Sequence, residues 1–193
     1  MFFILIGFII RIYGKENARR DGKYVVVANH YSYLDSPMIF RVLPFFVKPL
    51  ASADYAKIPI FGYLYKKVTI MVDRSSFASK RDSFFQMVAT IHKEKTNVFV
   101  FPEGSFNQTE DILKPFFDGA FKIAKETETA MLPIVFPDTI KRWHYASFWN
   151  WTPGICRAYI LPEITIEEVR DKSVKELKEK VYQQMLLQMS IIE

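Results

Sequence analysis

Cysteine occurs once in this 193-residue chain, at Cys156. An internal disulfide is therefore excluded, and its apolar setting reads the thiol as a small packed hydrophobe. The three histidines are scattered, and no Cys/His spacing suits zinc. No metal or cofactor is implied. No Gly-x-Ser-x-Gly elbow is present, which counts against a serine hydrolase. Internal repeats, low-complexity segments, long linkers and nucleic-acid motifs are also missing. Met1 to Ile10 is an unbroken apolar run. No basic residue precedes it and no small-residue cleavage site follows it, so a signal peptide fits poorly. As a helix it would reach roughly 15 Å, about half of a ~30 Å hydrocarbon core.

What the chain does have is apolar surface to place. It is 50% hydrophobic and 16% aromatic, with 18 Phe, and its formal net charge is +5. Its length suits one domain with a substantial core. A basic, aromatic-rich chain without a nucleic-acid motif points to an anionic membrane surface. The basic residues Arg11, Lys15, Arg19 and Arg20 follow the apolar run. Residues 1–20 are accordingly expected to form an interfacial helix in one leaflet, with a buried core helix as the alternative. Residues 21–193 are the remaining domain.

From Lys23 onward strand-like and helix-like stretches alternate. Strands are expected at Tyr24–Ala28, Phe45–Leu50, Val68–Val72, Asn97–Phe101, Ala130–Val135 and Ile155–Leu161. Helices are expected near Ser36–Val42, Pro59–Tyr65, Ser76–Lys93, Pro115–Glu126 and from Ser173 to about Met189. The last opens on a Ser173/Glu176 capping-box pattern and carries one stripe of Val174, Leu177, Val181, Met185 and Met189. This alternation predicts an α/β fold with a largely parallel central sheet flanked by helices. The Trp143, His144, Trp149 and Trp151 segment reads equally well as a membrane-interface belt or as ordinary packing.

The segment Val25 to Pro37 carries the first candidate site. A β-branched run leads to His30, and Asp35 follows five positions later before Ser36-Pro37. On one helix the two side chains would lie roughly 140° apart, and on one strand they would face opposite sides. They meet only if the chain turns between them, with His30 ending a strand and Asp35 opening a helix. A neutral imidazole can accept a proton, and a carboxylate on its other nitrogen fixes the tautomer. The alternative is a histidine at a strand end and an Asp capping a helix. A second cluster has the same layout: Asn97–Phe101 stops at Pro102-Glu103-Gly104-Ser105. Between them, Pro59-Ile60-Phe61-Gly62 leads to Asp73-Arg74. That Arg74 suits phosphate or carboxylate, or a surface pair with Asp73.

Together these segments resemble the glycerolipid acyltransferase family, typified by 1-acylglycerol-3-phosphate acyltransferase. Asn29 to Asp35 resembles its first motif, Ile58–Gly62 through Val72-Asp73-Arg74 its second, Phe101–Ser105 its third and Leu132-Pro133-Ile134 its fourth. All stand in the family's order. The resemblance implies a glycerol-3-phosphate acyltransferase-like fold that moves an acyl chain from acyl-CoA or acyl-carrier protein to a lysophospholipid hydroxyl. It implies His30 as base and Asp35 as its orienting partner, the two catalytic residues. Asn29, Arg74, Glu103, Gly104 and Ser105 would serve acceptor binding, and Pro133 would line the donor site. Localisation at the cytoplasmic face of the cell membrane follows from the same reading. Two rivals share these residues: a lipid or thioester hydrolase, and a non-enzymatic lipid-binding protein. One departure stands out. Where the family's third motif continues with an arginine for the acceptor phosphate, this chain has Phe106. Lys48, Lys57, Lys66, Lys67 or Lys114 would have to replace that cation, or the acceptor is a different lyso-lipid.

Overall fold

The computed structural model describes residues 7–54, 63, 67–73, 75–147 and 149–192. Among them, seven strands form one sheet in the order β1-β7-β6-β2-β5-β3-β4. These are β1 (Phe8–Tyr13), β2 (Tyr24–Ala28), β3 (Val47–Ser52), β4 (Ile70–Val72), β5 (Asn97–Val100), β6 (Ala130–Val135) and β7 (Gly154–Ile160). The pairings are parallel except that of β6 with β7. The helices are α1 (Asp35–Val42), α2 (Phe77–His92), α3 (Gly119–Thr127), α4 (Thr139–Arg142), α5 (Ile166–Asp171) and α6 (Val174–Ile192). The expected α/β architecture is thus observed.

The central strands are buried on both faces, as parallel strands under helices must be. Successive side chains alternate between two cores. Val25, Val27, Val98 and Val100 pack with Phe121 and Ala124 of α3 and with Leu177, Val181 and Met185 of α6. Tyr24, Val26, Ala28 and Phe99 pack with Met38, Ile39 and Val42 of α1 on the other side. The stripe read on α6 is therefore core. Its cap is formed too: the Ser173 N–H donates to Glu176 Oε2 at 2.8 Å and the Glu176 N–H to Ser173 Oγ at 3.3 Å.

The N-terminal expectation needs correction. Phe8–Tyr13 is an edge strand, paired in parallel with Gly154–Tyr159, and not the end of a helix. An unbroken apolar run has no periodicity to separate helix from strand, and the isoleucines at 9, 10 and 12 favour extended backbone. Phe8 is 1% exposed whereas Ile9 is 59% exposed, so only alternate residues enter the core. Tyr13 stacks on Tyr159 at 4.7 Å. Residues 1–6 lie outside the described residues, as do the expected Pro59–Tyr65 helix apart from Tyr63, the Ile58–Gly62 motif, and Arg74. Among the described residues no helix is long and apolar enough to cross a membrane.

Cys156 is buried, and burial pushes its thiol up to about 12, so it stays protonated and packs as expected. The antiparallel β6–β7 junction is held by Asp138, just beyond β6. Its carboxylate accepts from Arg157 Nε at 2.8 Å, from Arg157 Nη2 at 2.6 Å and from the Arg157 N–H at 2.9 Å. Burial raises the pKa of Asp138, but the Arg157 bonds outweigh it and hold the carboxyl below its ordinary value. A carboxylate so lowered stabilises the fold above its unfolded pKa and loses that contribution as the pH falls through its folded one. Asp138→Asn is expected to cost about 1.5–3 kcal/mol at pH 7 in urea unfolding. The difference should shrink below the carboxylate range; a cost independent of pH would contradict this account.

Candidate active site

In an open α/β sheet, ligands bind beyond the carboxyl ends of the strands. Strand β2 lies between β5 and β6, and both run parallel to it. The segments leaving β2, β5 and β6 therefore meet at one edge. Asn29 ties β2 to β6 there: its Nδ2 donates to the Phe136 carbonyl at 3.1 Å and its Oδ1 accepts the Phe136 N–H at 2.7 Å. Asn29 is fully buried, and both ends of its amide are used within the protein.

The next residue is His30, and the chain turns as the spacing required. Its Nδ1 lies 3.1 Å from Asp35 Oδ2, across the turn that opens α1. The same Oδ2 accepts the N–H of Tyr31 at 2.6 Å and of Ser32 at 2.7 Å. Asp35 has no exposed side-chain surface, while the His30 side chain keeps 12%. Oδ1 of Asp35 has no partner among the described residues. One carboxylate oxygen thus shapes the turn and faces the imidazole. Nε2, on the opposite edge of the ring, has no hydrogen-bond partner among the described residues.

Glu103 lies beside this pair, but not as a free carboxylate. It is fully buried. Its Oε1 accepts the His30 N–H at 2.7 Å and its Oε2 the Lys114 N–H at 3.0 Å. The His30 carbonyl in turn accepts the Asn107 N–H at 2.7 Å. Both backbone groups of His30 are therefore held by the segment after β5. Gly104 permits the tight approach. Its φ is +75°, and an added Cβ would lie 2.7 Å from the Phe117 ring. Ser105 is exposed, and its hydroxyl accepts from Lys114 Nζ at 2.7 Å.

Aromatic rings enclose the imidazole. Phe101 stacks on His30 with 3.7 Å between centroids, and Phe106 tilts over it at 4.3 Å. Tyr33 and Tyr145 lie 5.1 and 6.0 Å from Phe106. The unassigned Trp143 segment also belongs here. Ser32 Oγ donates to the Trp143 carbonyl, and Ser32 bridges His144. Trp143 packs 6.0 Å from Trp151, but Trp149 is 81% exposed.

Asn29, His30, Asp35, Glu103, Gly104 and Ser105 thus converge. Pro133 stands two residues before the end of β6. It is buried in β6 opposite Val27, at the end of the β6–β7 ladder where its missing N–H costs the sheet little, and its carbonyl accepts the Leu161 N–H at 2.9 Å. Sequence reading passed over Asn107, Tyr33 and Tyr145, and it took Phe101 and Phe106 as motif positions without seeing that their rings enclose the imidazole. Nothing in their spacing signalled them, because the contacts join segments far apart in the chain.

Residues 9–137 match the family model described as Acyltransferase. The chain belongs to this family. It is 28% identical over 187 residues to a 1-acyl-sn-glycerol-3-phosphate acyltransferase of Saccharomyces cerevisiae, covering 95% of this chain and 60% of that protein. It is also 28% identical over 188 residues to the human 1-acyl-sn-glycerol-3-phosphate acyltransferase alpha, covering 94% and 64%. The chain therefore spans less than two thirds of the length of these curated relatives. The crystal structure of the 1-acyl-sn-glycerophosphate (LPA) acyltransferase PlsC from Thermotoga maritima superposes with a TM-score of 0.80 at 21% identity, covering 98% of this chain and 74% of that one. The likeness places this acyltransferase-family chain in the same fold.

Burial raises the Glu103 pKa to about 7; the Lys114 and His30 N–H bonds oppose that rise, and the nearby Asp35 charge adds to it. The folded protein therefore takes up this proton below about 7, whereas the unfolded chain waits until near 4.5. Stability from this group falls as the pH rises through that window. Relative to Glu103→Gln, the unaltered protein should lose up to about 3 kcal/mol between the two pH values in urea unfolding. Parallel stability curves would contradict the raised pKa.

Proposed function

We propose that this protein transfers an acyl chain from acyl-CoA or acyl-carrier protein to the free hydroxyl of a lysophospholipid, 1-acylglycerol-3-phosphate or a related lyso-lipid. The observation that carries the reading is the His30 Nδ1 to Asp35 Oδ2 contact of 3.1 Å. Asp35 is buried and already aimed by two backbone N–H groups, so it holds the ring with Nδ1 as donor. Nε2 then carries the lone pair. It takes the proton of the acceptor hydroxyl as that oxygen bonds to the thioester carbonyl carbon. When the C–S bond breaks, the imidazolium returns the proton to the leaving thiolate, and ester and thiol are released. Asp35 stabilises the imidazolium between these steps.

Glu103 acts in this scheme as a positioning residue, since both its oxygens are used on backbone N–H groups. Gly104 and Ser105 line the acceptor side. Arg74 is proposed for the acceptor's polar head and the Pro133 strand for the donor side, on the family resemblance alone. Substrate delivery fits a peripheral protein at the cytoplasmic face of an anionic membrane. The net charge of +5 and exposed Ile9, Phe77, Phe117 and Trp149 support that placement.

The test is transfer of a radiolabelled acyl group from either thioester to a panel of lyso-lipids, by the purified protein. His30→Ala should lower turnover by at least ~100-fold while the circular-dichroism spectrum of the folded protein is kept. Full turnover in that variant would overturn the assignment. With the acceptor in vesicles, anionic lipid should raise the rate; equal rates on neutral vesicles would remove the membrane placement.

A further inference from the structure

On the family resemblance position 106 would carry the arginine for the acceptor phosphate, and here it is Phe106, so an anionic acceptor would draw its partner charge from elsewhere. Of the lysines named above, Lys48 is committed to Glu94 at 3.1 Å. Lys67 sits over the Tyr63 ring at 4.5 Å. Lys57 and Lys66 lie outside the described residues. Lys114 is different on three counts. Its N–H is fixed by Glu103, the carboxylate that also fixes His30. Its Nζ donates to Ser105 Oγ at 2.7 Å and approaches the Phe106 carbonyl at 3.5 Å. It makes no ion pair among the described residues.

We propose that Lys114 is a specificity-determining residue that receives the anionic group of the acceptor while the acceptor hydroxyl sits at His30. This deepens the acyl-transfer reading and rests on it. Phe106 spans the two positions, with its ring on the imidazole at 4.3 Å and its carbonyl toward the ammonium. Because Lys114 donates to the Ser105 oxygen, the Ser105 O–H is left to donate outward. Ammonium and hydroxyl then form a pair of donors next to Phe106, whose ring lies on the imidazole. A lysine is a point charge and lacks arginine's bidentate fork. The site should therefore hold the anionic group through charge, without the bidentate geometry that arginine imposes on phosphate and carboxylate alike.

The experiment compares the unaltered protein with Lys114→Met and Lys114→Arg, using 1-acylglycerol-3-phosphate and uncharged 1-monoacylglycerol as acceptors. Lys114→Met should raise KM for the phosphate acceptor by about tenfold or more. The ratio of kcat/KM between the charged and uncharged acceptors should fall by the same factor, and Lys114→Arg should restore it. An unchanged ratio, or equal losses on both acceptors with a lowered Tm, would overturn the proposal. Calorimetric binding of 1-acylglycerol-3-phosphate to the same proteins separates the two readings. If no acceptor is turned over, the transfer reading fails, yet weaker binding by Lys114→Met still supports the cation site. Equal binding removes it.

Discussion

A single buried carboxylate holds the functional edge together. Glu103 accepts one N–H from the end of β2 and one from the segment before α3, so two loops leaving different strands share one anchor. Sheet pairing alone aligns β2 with β5 only as far as Val27 and Val100. Beyond those residues the backbone must find other partners, since unpaired buried N–H and C=O groups are costly. Glu103 and Asn107 supply them for His30, and Asn29 does the same toward β6. The His30 backbone is thereby fixed at the point from which its ring reaches Asp35.

That arrangement has a cost built into it. A carboxylate without solvent contact favours its neutral form, and a neutral Glu103 cannot accept both N–H groups in the same way. Charge at this position therefore serves the site's geometry at the expense of the fold's stability. The enclosing aromatics favour the same geometry without that cost. Phe101 and Phe106 lower the local dielectric around the imidazole, which strengthens its interaction with Asp35.

Much of this was legible in the residues. The turn between His30 and Asp35 follows from a five-residue step that neither helix nor strand can close. The strands β2 and β6 are read to the residue because each is an apolar run stopped soon after, by Asn29-His30 beyond β2 and by Pro137-Asp138 beyond β6, and α6 announces its cap and stripe. Three features were not legible. The run to Ile10 has no periodicity, so the parallel pairing of β1 with β7 depends on Gly154–Tyr159, far along the chain. Glu103 reads as a substrate carboxylate beside a glycine, and only its burial shows that its oxygens are spent on backbone. Lys114 is one lysine among many until the fold brings it to Ser105.

The proposed role of Asp35 is to fix the tautomer of His30. Nitrogen-15 NMR of the His30 ring, in the unaltered protein and in Asp35→Asn, tests it most directly. The neutral ring should carry its proton on Nδ1 with Nε2 bare, and that preference should weaken in the variant. A proton on Nε2, or a tautomer indifferent to the loss of the carboxylate, would contradict it.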